Sequence, residues 1–148
     1  MASALSLADL ESLEAVEPDE PWFIEPRDRS DQSERARQIA FVSWMRVHAP
    51  EVRIMAVPNG YLRTDWQRTT AKREGVSKGA LDLWCFWSGN GRHVSEWKDG
   101  TGMPDADQRA WLNFLYRDGY PCGVYRNRAT LIGHLIDLGA PIVGRLGV

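Results

Sequence analysis

The 148 residues are 43% apolar and 26% charged, the balance of a globular chain with enough length to bury a core in one domain. No apolar run approaches the ~20 residues of a membrane-spanning helix, and the N-terminus lacks the basic start and apolar stretch of a secretory signal. The formal net charge of −2 hides an asymmetry: residues 1–21 hold six acidic residues and no Lys or Arg, which leaves 14 acidic and 18 basic residues, a net of +4, over 22–148.

That asymmetry divides the chain into an acidic N-terminal arm, 1–21, and a mildly basic domain, 22–148. A net of +4 permits a polyanionic partner without demanding one. Two cysteines, Cys85 and Cys122, make neither a disulfide framework nor a metal-ligand spacing. Both are expected as reduced core thiols, and the expected compartment is the cytoplasm.

Along the arm, Leu5, Leu7, Leu10, Leu13 and Val16 have loosely helical spacing, ended by Pro18 and Pro21. The arm reads as a peripheral segment, or as one that covers a basic groove or a partner subunit. Trp22 to Asp28 is a Pro-punctuated connector. Asp31-Gln32-Ser33-Glu34 has capping-box form, so a helix is expected from near Asp31, with Ala36, Ile39, Ala40, Ser43 and Val47 as its core stripe. Glu34, in its first turn, is explained by cap and dipole alone.

Val52–Val57 is a β-branched strand, stopped by Pro58-Asn59-Gly60. The stretch from Tyr61 to Val76 is the most basic, and a short helix over about Trp66–Arg73 fits it. Arg63, Arg68, Lys72 and Arg73, with Lys78 just beyond, read either as a solvated face or as phosphate contacts. Trp66 is the one tryptophan placed for base stacking.

Strands over about Ala80–Trp87 and His93–Lys98 follow, joined by the turn sequence Ser88-Gly89-Asn90-Gly91. Asp82 is the only charged residue between Lys78 and Arg92, and a charge in such a run is costly to bury unless it is paired or binds a metal. Glu96 and Lys98 share one strand face. A three-residue loop, Gly89-Asn90-Gly91, sets Asp82 opposite Lys98 and makes the three charges converge. A cross-strand salt bridge and a divalent-metal phosphodiesterase site both fit this pattern.

A helix from about Pro104 to Asp118 comes next, with Ala106, Trp111, Leu112, Leu115 and Tyr116 as its stripe, Gln108 in its early part and Gly119 as its cap. A strand over Tyr120–Arg126 and a helix over about Arg128–Leu138 complete the order. His48, His93 and His134 have no ligand spacing among them, and Asp105 and Asp107 read as partners of a helix N-terminus. The sum is a mixed α/β domain with a central sheet flanked by helices.

Gly75-Val76-Ser77-Lys78-Gly79-Ala80-Leu81-Asp82-Leu83, then Glu96-Trp97-Lys98, then Gln108 with Trp111-Leu112 and Gly119-Tyr120, resembles the VRR-NUC domain of the PD-(D/E)XK nuclease superfamily. The helix bearing Glu34 and the phrase Val57-Pro58-Asn59-Gly60 also look like those of small stand-alone phage and bacterial members. The likeness runs from Asp31 to Leu138 in order. It departs at Leu81, where members usually carry Pro, a difference expected to alter geometry slightly.

The resemblance implies a restriction-endonuclease-like core and a Mg²⁺-dependent DNA endonuclease, with Mn²⁺ as substitute, acting on DNA that includes branched or flapped forms. It implies a homodimer in the bacterial or phage-infected host cytoplasm. It further implies Asp82, Glu96, Glu34 and the backbone carbonyl of Trp97 as metal ligands, Lys98 as the residue that orients or deprotonates the attacking water, and Gln108 as its support. A nickase or single-strand nuclease, and a non-catalytic nucleic-acid-binding protein on the same scaffold, are the alternatives.

Overall fold

Short runs of aromatic and β-branched residues supply the strands, and amphipathic runs between them supply the helices. The computed structural model describes residues 4, 6–8, 17–58 and 64–143. The order is β1 (Phe23–Ile24), α1 (Glu34–His48), β2 (Arg53–Ala56), α2 (Asp65–Arg73), β3 (Leu83–Trp87), β4 (Gly91–Trp97), α3 (Ala106–Arg117), β5 (Cys122–Tyr125) and α4 (Arg128–Asp137). The strands form one mixed sheet, β1-β5-β4-β3-β2. Pairs β2/β3 and β3/β4 are antiparallel, whereas β5 runs parallel to both β4 and β1. This is an α/β chain with helices against a central sheet. No helix among the described residues is long and apolar enough to cross a membrane.

Strand alternation sends successive side chains to two cores. Leu83, Cys85, Trp97 and Tyr125 meet Phe41, Trp44 and Met45 of α1 and Leu131, Ile132 and Leu135 of α4. Leu81, Val94 and Val124 meet Leu112 and Leu115 of α3 on the other side, with Trp22. Cys85 and Cys122 are buried free thiols.

Several sequence expectations shift. Helix α1 is capped by Ser33, whose hydroxyl accepts from Ala36 N at 3.1 Å, rather than starting near Asp31. Its buried residues are Arg37, Phe41, Trp44 and Met45, while Ile39 and Val47 of the expected stripe are 55% and 72% exposed. The large aromatic face wins because it removes more apolar surface from water than a stripe of Ala and Ser. Helix α3 begins at Ala106 behind an Asp105 cap, and buried Asn113 replaces Tyr116 in its inner face. Asn113 earns that place by accepting from Trp22 Nε1 at 2.9 Å and Glu20 N at 2.8 Å.

The connector 22–28 contains β1, a strand of two residues, too short to carry a period. Glu25 behind it accepts from Arg126 N, Asn127 N, Asn127 Nδ2 and Thr130 Oγ1, which fastens the segment to the start of α4. At the hairpin the three-residue loop is Ser88-Gly89-Asn90, with Trp87 opposite Gly91 and Leu83 opposite Ser95. Gly89 and Asn90 both take positive φ, at 85° and 63°, which the Gly-Asn pair tolerates and most residues do not. The register thus differs by two from the expected one, so Lys98 is not the residue across from Asp82. A shift of two preserves the face, and the convergence survives it.

Asn59, Gly60 and Arg63, most of the acidic arm and residues 144–148 lie outside the described residues.

Candidate metal centre

Asp82 sits in the bend just before β3. Its Oδ2 accepts from Trp97 N at 2.7 Å, and its carbonyl accepts from Val57 N at 2.9 Å, so the residue is fixed from two neighbouring strands. Glu96 lies near the end of β4 and is fully buried. Glu34 opens α1, whose Ser33 cap sets where its side chain leaves the helix. One carboxylate oxygen from each of Glu34, Asp82 and Glu96 lies within 4.8 Å of the others. Three segments distant in sequence thereby converge on one spot.

The electrostatics of that spot are unbalanced. Both oxygens of Glu96 lack a hydrogen-bond partner. Lys98 Nζ stands 3.4 Å from Glu96 Oε1, an ion-pair separation without hydrogen-bond geometry, and it is the cation nearest this carboxylate among the described ion pairs. One lysine against three carboxylates leaves excess negative charge in a desolvated place, and buried polar atoms without partners are uncommon. Burial, reinforced by the Asp82 charge, pushes the Glu96 carboxyl up to about 9. Burial also raises Asp82, against the opposing pull of the Trp97 N–H and Lys98, and raises Glu34 against the pull of Lys98. A hard, oxygen-only donor set of this kind suits Mg²⁺ or Mn²⁺, which prefer carboxylates and carbonyls.

A cleft of about 470 Å³ opens onto Glu34 and Asp82, walled also by Arg35, Gln38 and Pro58. Arg35 and Gln38 were not singled out from the sequence, although they sit one and four residues past Glu34 and so border the same end of the helix.

The other predicted site residues have these partners. The Gln108 side-chain oxygen accepts from Asp105 N at 2.9 Å and closes the capping box of α3, a local task that needs no site. Arg68 and Lys72 line a second cleft of about 690 Å³ together with residues 75–79, Lys78 among them. Arg68 pairs with Asp65 at 2.7 Å, and the highly exposed Lys78 lies 3.4 Å from Asp107. Arg73 is exposed in the last turn of α2, and Arg63 lies outside the described residues. Trp66 is 75% exposed beside them.

Leu81 is fully buried in the core beside α3, and its carbonyl accepts from Trp84 Nε1 at 3.2 Å. His93 and His134 both bond Tyr125 Oη, at 2.9 and 2.7 Å, and His48 packs on Trp44, so none of the three adds a ligand to the cluster. The described end of the acidic arm binds α3: Asp19 holds Arg109, and Glu17 and Glu20 hold Arg117.

Comparison with models of protein families, with curated proteins and with solved structures returned no match for this chain.

Proposed function

We propose that the chain is a metal-dependent DNA endonuclease of the VRR-NUC type, with a restriction-endonuclease-like core and a single Mg²⁺ or Mn²⁺ centre. The observation that carries this reading is the cluster of Glu34, Asp82 and Glu96 around an unsatisfied, fully buried Glu96 carboxylate, with one lysine beside it. A structural salt bridge explains one carboxylate and one lysine. It does not explain why two further carboxylates are held against that pair.

In this reading Glu34, Asp82 and Glu96 hold the ion, with the Trp97 carbonyl beside them. When bound, the ion supplies Lewis-acid neutralisation of the phosphate oxygens. Lys98 orients the attacking water and offsets the negative charge that develops as the phosphodiester opens. The cleft above Glu34 and Asp82 admits the scissile phosphate, and the cations of the second cleft, Arg68, Lys72 and Lys78, with Arg73 nearby, take up flanking phosphates. In this reading Trp66, exposed beside these cations, stacks on an unpaired base of a single-stranded or branched substrate.

A second copy of the chain is the proposed partner. The outward stripe of α1 is symmetric about Ser43, so a two-fold crossing there sets Ile39 of one copy against Val47 of the other. The small Ala40 and Ser43 allow the helices to approach closely.

The test is cleavage of labelled linear, flapped and four-way-junction DNA with Mg²⁺, Mn²⁺ or EDTA. Wild-type protein cuts with either metal and not with EDTA, and Lys98→Ala lowers the rate by about 10³-fold or more. Cleavage that persists in Lys98→Ala and Asp82→Asn rejects the site. Metal-independent binding without cleavage selects the non-catalytic alternative, and cleavage that does not prefer junctions or flaps over linear DNA selects the nickase or single-strand nuclease.

A further inference from the structure

Two arginines are almost completely buried, Arg37 at 3% and Arg126 at 1% exposure, and neither belongs to the cluster of carboxylates. A guanidinium is always charged and carries five donors, so burying two of them demands a large set of acceptors. Those acceptors form a pattern. Arg37, on α1 one turn beyond Glu34, donates from Nε to Gln32 O at 3.1 Å and from Nη2 to Ser30 O at 3.3 Å, and it clasps both oxygens of Asp28 at 2.6 and 2.9 Å. Its Nη1 also donates to the carbonyl of Arg126 at 3.1 Å.

Arg126 in turn donates from Nε to Glu25 O at 3.0 Å and from Nη1 to Gly102 O at 2.8 Å and to Asp99 O. Asp99 directly follows Lys98. The two segments are further interlocked: Asp28 N donates to Gly100 O at 3.0 Å, and any side chain at residue 100 would collide with Asp28 O at 2.6 Å. The chain of bonds therefore runs from the first turn of α1, which carries Glu34, through Arg37 and Arg126, to the loop that leaves β4 behind Glu96 and Lys98.

We propose that Arg126 and Arg37 are positioning residues that form one clamp, fixing Glu34 on α1 against Glu96 on β4 and Lys98 just beyond it, and so setting the spacing of the cluster. Its consequence for metal binding rests on the metal-centre reading above, but the clamp itself is a mechanical claim. Strands β4 and β5 are hydrogen-bonded and need no such help. Helix α1 and the 99–103 loop share no ladder, and the two guanidiniums tie them alongside the Asp28 N–Gly100 O bond and the packing of Phe41 on Trp97. Planarity matters, because a fork can serve the carbonyls of Asp99 and Gly102 together while also reaching Glu25 O. A lysine at 126 keeps the charge and cannot do so.

The experiment uses full-length protein with Arg126→Lys and, from the other end, Arg37→Lys, read by amide hydrogen exchange and by Mn²⁺ titration. Each variant is expected to speed exchange about tenfold or more both at the first turn of α1 and at 99–103, while β3 and β4 stay protected. Acceleration confined to the mutated end, in both variants, overturns the clamp. Mn²⁺ affinity is expected to fall about tenfold in either variant, as for residues that orient ligands from behind. In the double variant with Glu34→Gln the losses do not add, because the clamp acts through Glu34. Full additivity overturns that route. If wild-type protein takes up no Mn²⁺, the metal-centre reading fails while the exchange result still decides the clamp.

Discussion

Glu96 is the residue on which the site turns. Its carboxyl is pushed up to about 9 by burial and by Asp82, against an ordinary value of 4.5. Below pH ~4.5 the folded and unfolded chains both carry that proton, and as pH rises toward 9 the unfolded chain loses it first. The metal-free fold is therefore progressively destabilised across that window. Glu96→Gln removes the titration, so in EDTA the variant gains stability over wild type as pH rises from about 5 toward 9. Denaturant melts of both proteins from pH 5 to 9 measure it, and parallel curves would show that Glu96 is not a strained carboxyl. A saturating divalent ion should reverse the order, since wild type then binds the ion and the variant binds it poorly.

At the scale of elements, Gly79 and α1 each carry a prediction. Gly79 has φ +74°, and a Cβ there would lie 2.4 Å from Asp107 Cβ and 2.7 Å from its carbonyl carbon. Close approach of this loop to α3 is what brings Lys78 within 3.4 Å of Asp107. Gly79→Ala is expected to cost about 1–3 kcal/mol in a urea melt, through strain and through separation from α3. An unchanged midpoint would show that the loop docks otherwise. Ile39→Asp on α1 is expected to convert the proposed dimer into a folded monomer, with the sedimentation coefficient as readout. A wild-type monomer at tens of micromolar would remove the proposed partner.

Legibility in the sequence divided along physical lines at this same scale. Element types were readable because α1, α3 and β3 carry strong caps or apolar runs. Which face of α1 turns inward was not readable, since Ile39 and Val47 compete with Phe41 and Trp44 at the same period, and only the sheet decides between them. The odd loop length was readable from Ser88–Gly91, whereas its placement by one position depended on which residues take positive φ. Strand β1 had no period to read. The carboxylate pair Asp82 and Glu96 was visible as charge in apolar runs. Glu34 was legible only through the resemblance, because a first-turn carboxylate serving the helix dipole and a ligand look alike until α1 is laid against the sheet. Gln108 was given a role by resemblance alone, and its side-chain oxygen accepts from the Asp105 N–H at its own helix end.

Across the whole molecule, the sheet acts as a frame on which distant segments are brought to one point. Asp82 comes from the hairpin's first arm, Glu96 from its second, and Glu34 from a helix packed on one face. The basic cleft of α2 and residues 75–79 leads into Asp82 along the chain, while Glu17, Asp19 and Glu20 at the end of the acidic arm pair with Arg109 and Arg117 of α3. The proposed function requires that the convergent carboxylates hold an ion. Calorimetric titration of the metal-free protein with Mn²⁺ tests that most directly, run at pH 7.5 in two buffers of different ionisation heat. The account predicts one saturable site per chain, release of about one proton from the cluster on binding, and affinities at least about tenfold weaker in Asp82→Asn and Glu96→Gln. No saturation at millimolar Mn²⁺, or binding that neither substitution alters, would contradict it.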